Sequence, residues 1–252
     1  MDSVMIGTGN TATVLGRKLK EAGHHIVQVF GRDSKAASDL AYTLDTESAN
    51  YWNIVNRNAD IYILAVSDIA IKDVLRELRL PEKTIVHTAA SVSKTILEGS
   101  AGHYGVFYPL QSLKKEVAEL PDMPIIIDAS DPATMKELEG LAHSISSHVV
   151  EAGDEQRLKL HLAAVFCNNF TNHLYALAAS YCRKEGIDFN LLRPLILETA
   201  NRVEDNSPEE LQTGPAIRND RETIRKHLEL LEHHPRLKKI YEVLSESIIQ
   251  GS

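Results

Sequence analysis

A glycine turn near the start of the chain constrains its fold more than any other feature. The apolar run 3–6 leads into Gly7-Thr8-Gly9-Asn10-Thr11-Ala12, and a segment of helical period follows at once. That segment carries Val14, Leu15, Leu19 and Ala22 on one face and Gly23 as a stop. A Gly-x-Gly-x-x-Ala turn between a strand and a helix is suited to a pyrophosphate. Gly7 permits the tight turn, Gly9 lets the backbone approach an anion, and Ala12 lets the helix pack closely beneath it, with the helix N-terminus facing the charge. A glycine turn without any ligand is the plainer alternative, and the second strand that follows weighs against it.

The same sequence of short apolar run, Gly- or Ser-containing turn and helical segment recurs over residues 3–150. Strands are expected at 3–6, 25–30, 61–66, 84–87, 105–107 and 124–128, all nearly continuous in apolar residues, as strands covered on both faces require. The expected architecture is an α/β doubly wound, mostly parallel (Rossmann) sheet followed by an all-α C-terminal domain. Helical segments are expected at 155–184, 190–203, 219–231 and 235–250, with no strand-like alternation between them. The domains are therefore set at 1–152 for dinucleotide binding and 153–252 for substrate binding and dimerisation. The stretch 160–182 is strongly apolar, but His161, Asn168, Asn169, Asn172 and His173 interrupt it, so it reads as a long buried helix and not as a membrane span.

The end of the second expected strand bears on which dinucleotide is bound. About 25 residues after the first glycine, where an NAD-binding chain usually places a carboxylate on the ribose, this one reads Gly31-Arg32-Asp33-Ser34. A guanidinium at Arg32, with Ser34 and Lys35, suits a 2′-phosphate and favours NADP. Asp33 is the competing choice, if the register differs by one residue. Further cofactor contacts are expected from Ala65, Val66 and Ser67 after the third strand. Thr88 and Ala89 follow the fourth, where small side chains leave room for a nicotinamide; Ser67 and Ser91 could equally be helix caps.

Composition removes other classes of function. A net charge of −8 with scattered Lys and Arg offers no footprint for nucleic acid or anionic lipid. The two cysteines, Cys167 and Cys182, have no ligand spacing, so no metal site and no disulfide framework is expected. Nothing resembling a signal peptide stands before the first strand, so a cytoplasmic, reducing setting is expected.

The ordered motifs GTGN, GRDS, ILAVSD, HTAAS and VFYPLQS, followed by HLAAVFCNNFTNHLY and LQTGPAIRND, resemble the family of Rossmann-like NADP oxidoreductases with a C-terminal helical domain of unknown function. Wider relatives are pyrroline-5-carboxylate reductases, β-hydroxyacid dehydrogenases and deazaflavin-dependent NADP reductases. The resemblance spans nearly the whole chain and implies a Rossmann domain, NADP as cofactor and a helical domain that commonly dimerises. Two departures stand out. β-Hydroxyacid dehydrogenases carry a catalytic Lys and an Asn four residues apart, whereas here Lys159 is followed at that spacing by Ala163, so their acid–base mechanism is not carried over. Many members of the closer family read Arg-Gly-Asp where this chain has Arg218-Asn219-Asp220.

Reduction by NADPH needs a protein group that protonates the developing oxyanion or amine. His161 is the first candidate, since imidazole is the side chain that ordinarily ionises nearest neutral pH. Spacings of seven and four residues align it with Asn168 and Asn172 on one face of a helix, where the amides could orient a carbonyl or carboxylate, or simply form a hydrogen-bonded seam. Tyr108, leaving a strand, is the alternative acid, with Gln111 close by as a substrate contact. Arg218 could clamp a substrate carboxylate or pair with Asp220, and Asn219 and Glu222 have capping-box spacing.

The expected function is hydride transfer between NADP(H) and a small carbonyl, imine or hydroxyacid substrate in the cleft between the halves of a homodimeric enzyme. Two alternatives accompany it: a non-catalytic NADP-binding regulatory protein, and an NADP:deazaflavin hydride-exchange reductase.

Overall fold

The computed structural model describes residues 1–118, 120 and 122–251, and its contacts divide the chain into two compact units, Met1–Asn168 and Asn169–Ser252. In the first unit, alternation along the apolar runs feeds two separate cores. Met5 of β1 (Asp2–Ile6) packs with Leu15 and Leu19 of α1 (Asn10–Glu21), while Val4 and Ile6 point the other way, toward Val74 and Leu75 of α3 (Ile71–Glu77). In β4 (Ile61–Leu64), Ile61 and Ile63 join the first core and Tyr62 and Leu64 the second. Burying each such side chain stabilises the fold by about 1.5–3 kcal/mol.

The sheet has eight strands in the order β3-β2-β1-β4-β5-β6-β7-β8. The remaining strands are β2 (His25–Phe30), β3 (Glu47–Ala49), β5 (Leu80–His87), β6 (Ala101–Pro109), β7 (Ile125–Ala129) and β8 (Val149–Glu151). All neighbours are parallel except β6 and β7. β1 lies between β2 and β4, so the winding reverses there and a crevice opens at the strands' carboxyl ends. Helices α1, α2 (Ser34–Leu44) and α4 (Pro132–His143) contribute to one core and α3 to the other.

The doubly wound sheet is the one expected, with two short strands added. β3 and β8 have three residues each and sit at the two edges; backbone pairing to β2 and β7 makes them strands, and Glu47-Ser48-Ala49 carries no apolar signal. At Gly105 the antiparallel strand β7 comes so close that a Cβ would lie 2.2 Å from the Asp128 carbonyl oxygen.

The expected helix over 155–184 is not one α-helix. α5 (Asp154–Ala164) passes into a π-helical stretch, Val165–Phe170, before α6 (Thr171–Lys184), and the first compact unit ends inside that stretch. It is not buried either: Leu158, Leu162 and Leu174 are exposed, and Cys182 is the only residue of α6 in the buried class. In the second unit, α6 is followed by α7 (Arg193–Arg202), α8 (Arg221–Leu230) and α9 (Pro235–Gly251).

The cap expected at Asn219 lies one residue later. Asp220 accepts the Thr223 N–H at 3.0 Å, while Asn219 takes a left-handed φ of 51° in the preceding turn. That conformation suits glycine or asparagine, so Asn219 is accommodated there. Among the described residues no helix is long and apolar enough to cross a membrane.

Candidate active site

Gly7 ends β1 with a φ of +124°, and a Cβ there would lie 2.2 Å from the Ala65 carbonyl oxygen at the end of β4. No residue but glycine fits this turn without moving the neighbouring strand. Gly9 is different: a Cβ would meet nothing within 4 Å, so open space lies before it. It stands at the N-cap of α1 with no side-chain cap, and the helix's first turn has no acidic residue. Ala12 is fully buried beneath. These are the requirements of an anion seat at a helix N-terminus.

A cavity of about 640 Å³ extends from this turn along the ends of β2 and β4. Gly7, Thr8, Gly9, Arg32, Ala65, Val66 and Ser67, all singled out from the sequence, line it. Asp33 also lines it, but its carboxylate accepts the Ala36 N–H at 3.0 Å and caps α2. Arg32 therefore remains the charged group of this loop without such a local task. Lys35 is held by Asp39 at 2.6 Å, and Ser34 opens α2 in an exposed position. Asn10 and Thr11 lie in the first turn of α1, the Asn10 amide oxygen accepting the Lys115 N–H at 3.3 Å.

The cavity also has walls the sequence did not disclose. Trp52 stacks on Phe30 with ring centroids 3.8 Å apart, and Arg76, paired with Asp73 at 2.8 Å, lines the side formed by α3. Loop and helix residues at such sequence distances from the glycine turn carry no local motif that would reveal them.

At the neighbouring end of the crevice, Thr88 and Ala89 are buried just beyond β5. Ser91 Oγ donates to Asp68 Oδ2 at 2.5 Å, joining the turns after β4 and β5. Tyr108 near the end of β6 and His161 on α5, separate candidates in the sequence, meet here with Tyr108 Oη 3.0 Å from His161 Nδ1. Burial raises the Tyr108 phenol above its ordinary value, with the Arg157 charge opposing, so it is protonated at neutral pH.

On the same unit, Asn168, Gln111 and Lys159 have other surroundings. Asn168 lies in the π-helical stretch, which breaks the α-helical spacing that was to align it with His161. Asn172 and Arg218 are exposed residues of the second unit. Gln111 accepts the adjacent Ser112 N–H at 2.9 Å. Lys159, at the position considered for a dehydrogenase-type lysine, is exposed and paired with Glu155 at 2.5 Å.

A glycine turn opening a helix, a cation after β2 and a phenol–imidazole pair at the carboxyl end of β6 are the features of a dinucleotide-binding protein of the oxidoreductase class. The family model for coenzyme F420-dependent NADP oxidoreductase matches residues 4–91, and that for a domain of unknown function, DUF2520, matches 123–248. A Bacteroides fragilis structure described as a "putative NADP oxidoreductase" is 40% identical, covers 99% of this chain and 98% of its own, and has a TM-score of 0.93. The chain belongs to the family of Rossmann-fold NADP oxidoreductases that carry this C-terminal domain.

Protein TM1727 from Thermotoga maritima (22% identity, 97% and 98% coverage, TM-score 0.78) shares the fold. So does a reductive aminase from Aspergillus terreus solved with NADPH (14% identity, 100% and 94% coverage, TM-score 0.72). No curated protein sequence matches the chain.

His87, at the end of β5, is fully buried, and its Nδ1 accepts the Ala89 N–H at 3.2 Å. Burial first, and then the Arg157 charge, lower its pKa from 6.5 to about 4. The unfolded chain takes up a proton here near pH 6.5 and the folded one only near pH 4, so the unfolded state binds more protons between these values and stability falls as pH is lowered through them. In urea titrations at about pH 7 and about pH 4.5, the acid loss of stability is expected to be smaller in His87→Gln than in the wild type by roughly 2 kcal/mol. An equal loss in both would show that His87 does not titrate in this way.

Proposed function

We propose that this chain is an NADP-dependent oxidoreductase transferring hydride between NADP(H) and a small carbonyl, imine or hydroxyacid substrate, with Tyr108 and His161 as the proton-delivering pair in the reductive direction. The observation that carries this reading is the 3.0 Å contact between Tyr108 Oη and His161 Nδ1, on the first compact unit, which also carries the glycine turn. Residues 1–152 would bind the dinucleotide: Gly7 to Ala12 the pyrophosphate, Arg32 and Ser34 the 2′-phosphate, Ala65 to Ser67 the adjoining backbone. The space before Gly9 and the uncapped start of α1 fit that group. When bound, NADPH supplies the hydride. Tyr108, a phenol protonated at neutral pH and raised further by burial, would give its proton to the oxygen or nitrogen of the reduced double bond, and His161 would restore it. Gln111 and Asn168, which lie on the same unit as this pair, are proposed to orient the substrate.

The match to a coenzyme F420-dependent family model favours a second reading, hydride exchange between NADP and a deazaflavin, which needs no protein acid. Saturable NADPH binding without turnover on either class of acceptor would instead support a regulatory protein.

The helical domain, 153–252, is proposed to pair with a second copy. Leu191, Leu195 and Leu197 are 73%, 62% and 63% exposed, more apolar surface than one chain ordinarily leaves to water. The unpaired Cys167 and Cys182 accord with a reducing, cytoplasmic setting.

Arg32→Ala is expected to weaken NADPH binding by roughly tenfold or more and NADH binding by less than about twofold, read by fluorescence titration; equal effects would remove the NADP assignment. Tyr108→Phe is expected to lower turnover by roughly 100-fold on a carbonyl or imine substrate with NADPH affinity unchanged, whereas unaltered NADPH:deazaflavin exchange in the same variant would select the second reading. Sedimentation at micromolar concentration should give a dimer, and a monomer would refute the pairing.

A further inference from the structure

Arg157, on α5, is the largest side chain among the fully buried residues. An arginine in such a place is costly unless its charge is paired and its N–H groups are used. Its one paired carboxylate is Asp154, at 2.7 Å from Nη2. Its other bonds go to a single loop: Nε donates to the Ala90 carbonyl at 3.1 Å and Nη2 to the Val92 carbonyl at 2.6 Å. Nη1 has no hydrogen-bond partner among the described residues. Asp154 holds the same loop by accepting the Lys94 N–H at 3.3 Å, and the Lys94 ammonium reaches Asp128 at 2.6 Å and the Ala129 carbonyl at 2.8 Å.

This loop follows β5 and begins with Thr88 and Ala89. Arg157 and His161 stand four residues apart on α5, on one face of the helix. One helical turn thus bonds the β5 loop through Arg157 and Tyr108 of β6 through His161. The guanidinium also acts through its charge: it opposes the effect of burial on Tyr108 and helps keep His87 neutral, as the acceptor of the Ala89 N–H.

We propose that Arg157 is a positioning residue for the nicotinamide end of the cofactor: it holds the loop of Thr88 and Ala89 in register with the Tyr108–His161 pair, so that the ring is seated beside the proton donor. This rests on reading that loop as the nicotinamide seat. A lysine could not replace it, because one ammonium on a flexible stem cannot span two carbonyls and a carboxylate as a planar fork does.

The test compares two ligands on the full-length protein. NADPH occupies both ends of the site, whereas 2′,5′-ADP occupies only the end lined by Arg32. Arg157→Met is expected to lose roughly fivefold or more in NADPH affinity while 2′,5′-ADP affinity changes by less than about twofold. Asp154→Asn removes the countercharge at a half-exposed position and is expected to show the same selectivity, with a loss of about two- to threefold.

General destabilisation would weaken both ligands together, so equal losses, or no loss, in these variants would overturn the proposal. Should Arg157→Met fail to fold, Asp154→Asn decides alone by the same criterion. If the wild type binds neither ligand, the nicotinamide reading fails and the inference with it. Normal binding of both ligands by the wild type, with unselective variants, defeats only the role of Arg157.

Discussion

The contact between Gly7 and the Ala65 carbonyl is the constraint on which the rest of the site depends. β1 and β4 are parallel neighbours, and the chain leaves β1 by a turn so close to the end of β4 that no side chain fits between them. This approach places the start of α1 at the reversal of the winding, where the ends of β2 and β4 border one cavity. A larger residue at position 7 would displace either the helix or the strand, and the anion seat with it. The chain has traded conformational entropy in a left-handed glycine for a helix N-terminus aimed at open space.

Electrostatics then divides the crevice into two environments. The end lined by Arg32 is exposed, so charges there are screened by water and salt. The other end is drier. His87 and Arg157 are fully buried there and Tyr108 is partly so, which strengthens the field of the Arg157 charge. The same exclusion of water keeps the His87 imidazole neutral and raises the Tyr108 phenol, while the Arg157 guanidinium is held by Asp154 and two backbone carbonyls.

Much of the fold was legible because parallel strands covered on both faces leave continuous apolar runs, as 61–64 does between the two cores. The edge strands β3 and β8 were not, since edge pairing asks little of side chains. The helical half misled in one respect. An apolar stretch through 160–182 suggested a straight, buried helix, but the π-helical turn at Val165–Phe170 depends on how individual backbone groups pair, and hydrophobic period does not record that.

By itself the sequence determined the glycine turn that opens α1 toward free space, because strand, turn and helix are consecutive and their geometry is local. It also determined that a cation follows β2, though only the structure separated Arg32 from Asp33, by committing the carboxylate to cap α2. The tertiary structure alone decided the meeting of Tyr108 with His161, the cavity walls at Trp52 and Arg76, and the burial of Arg157 against the Ala90 and Val92 carbonyls. Those pairings join residues far apart in the chain, and nothing in local spacing encodes a contact that exists only once the sheet has closed around it.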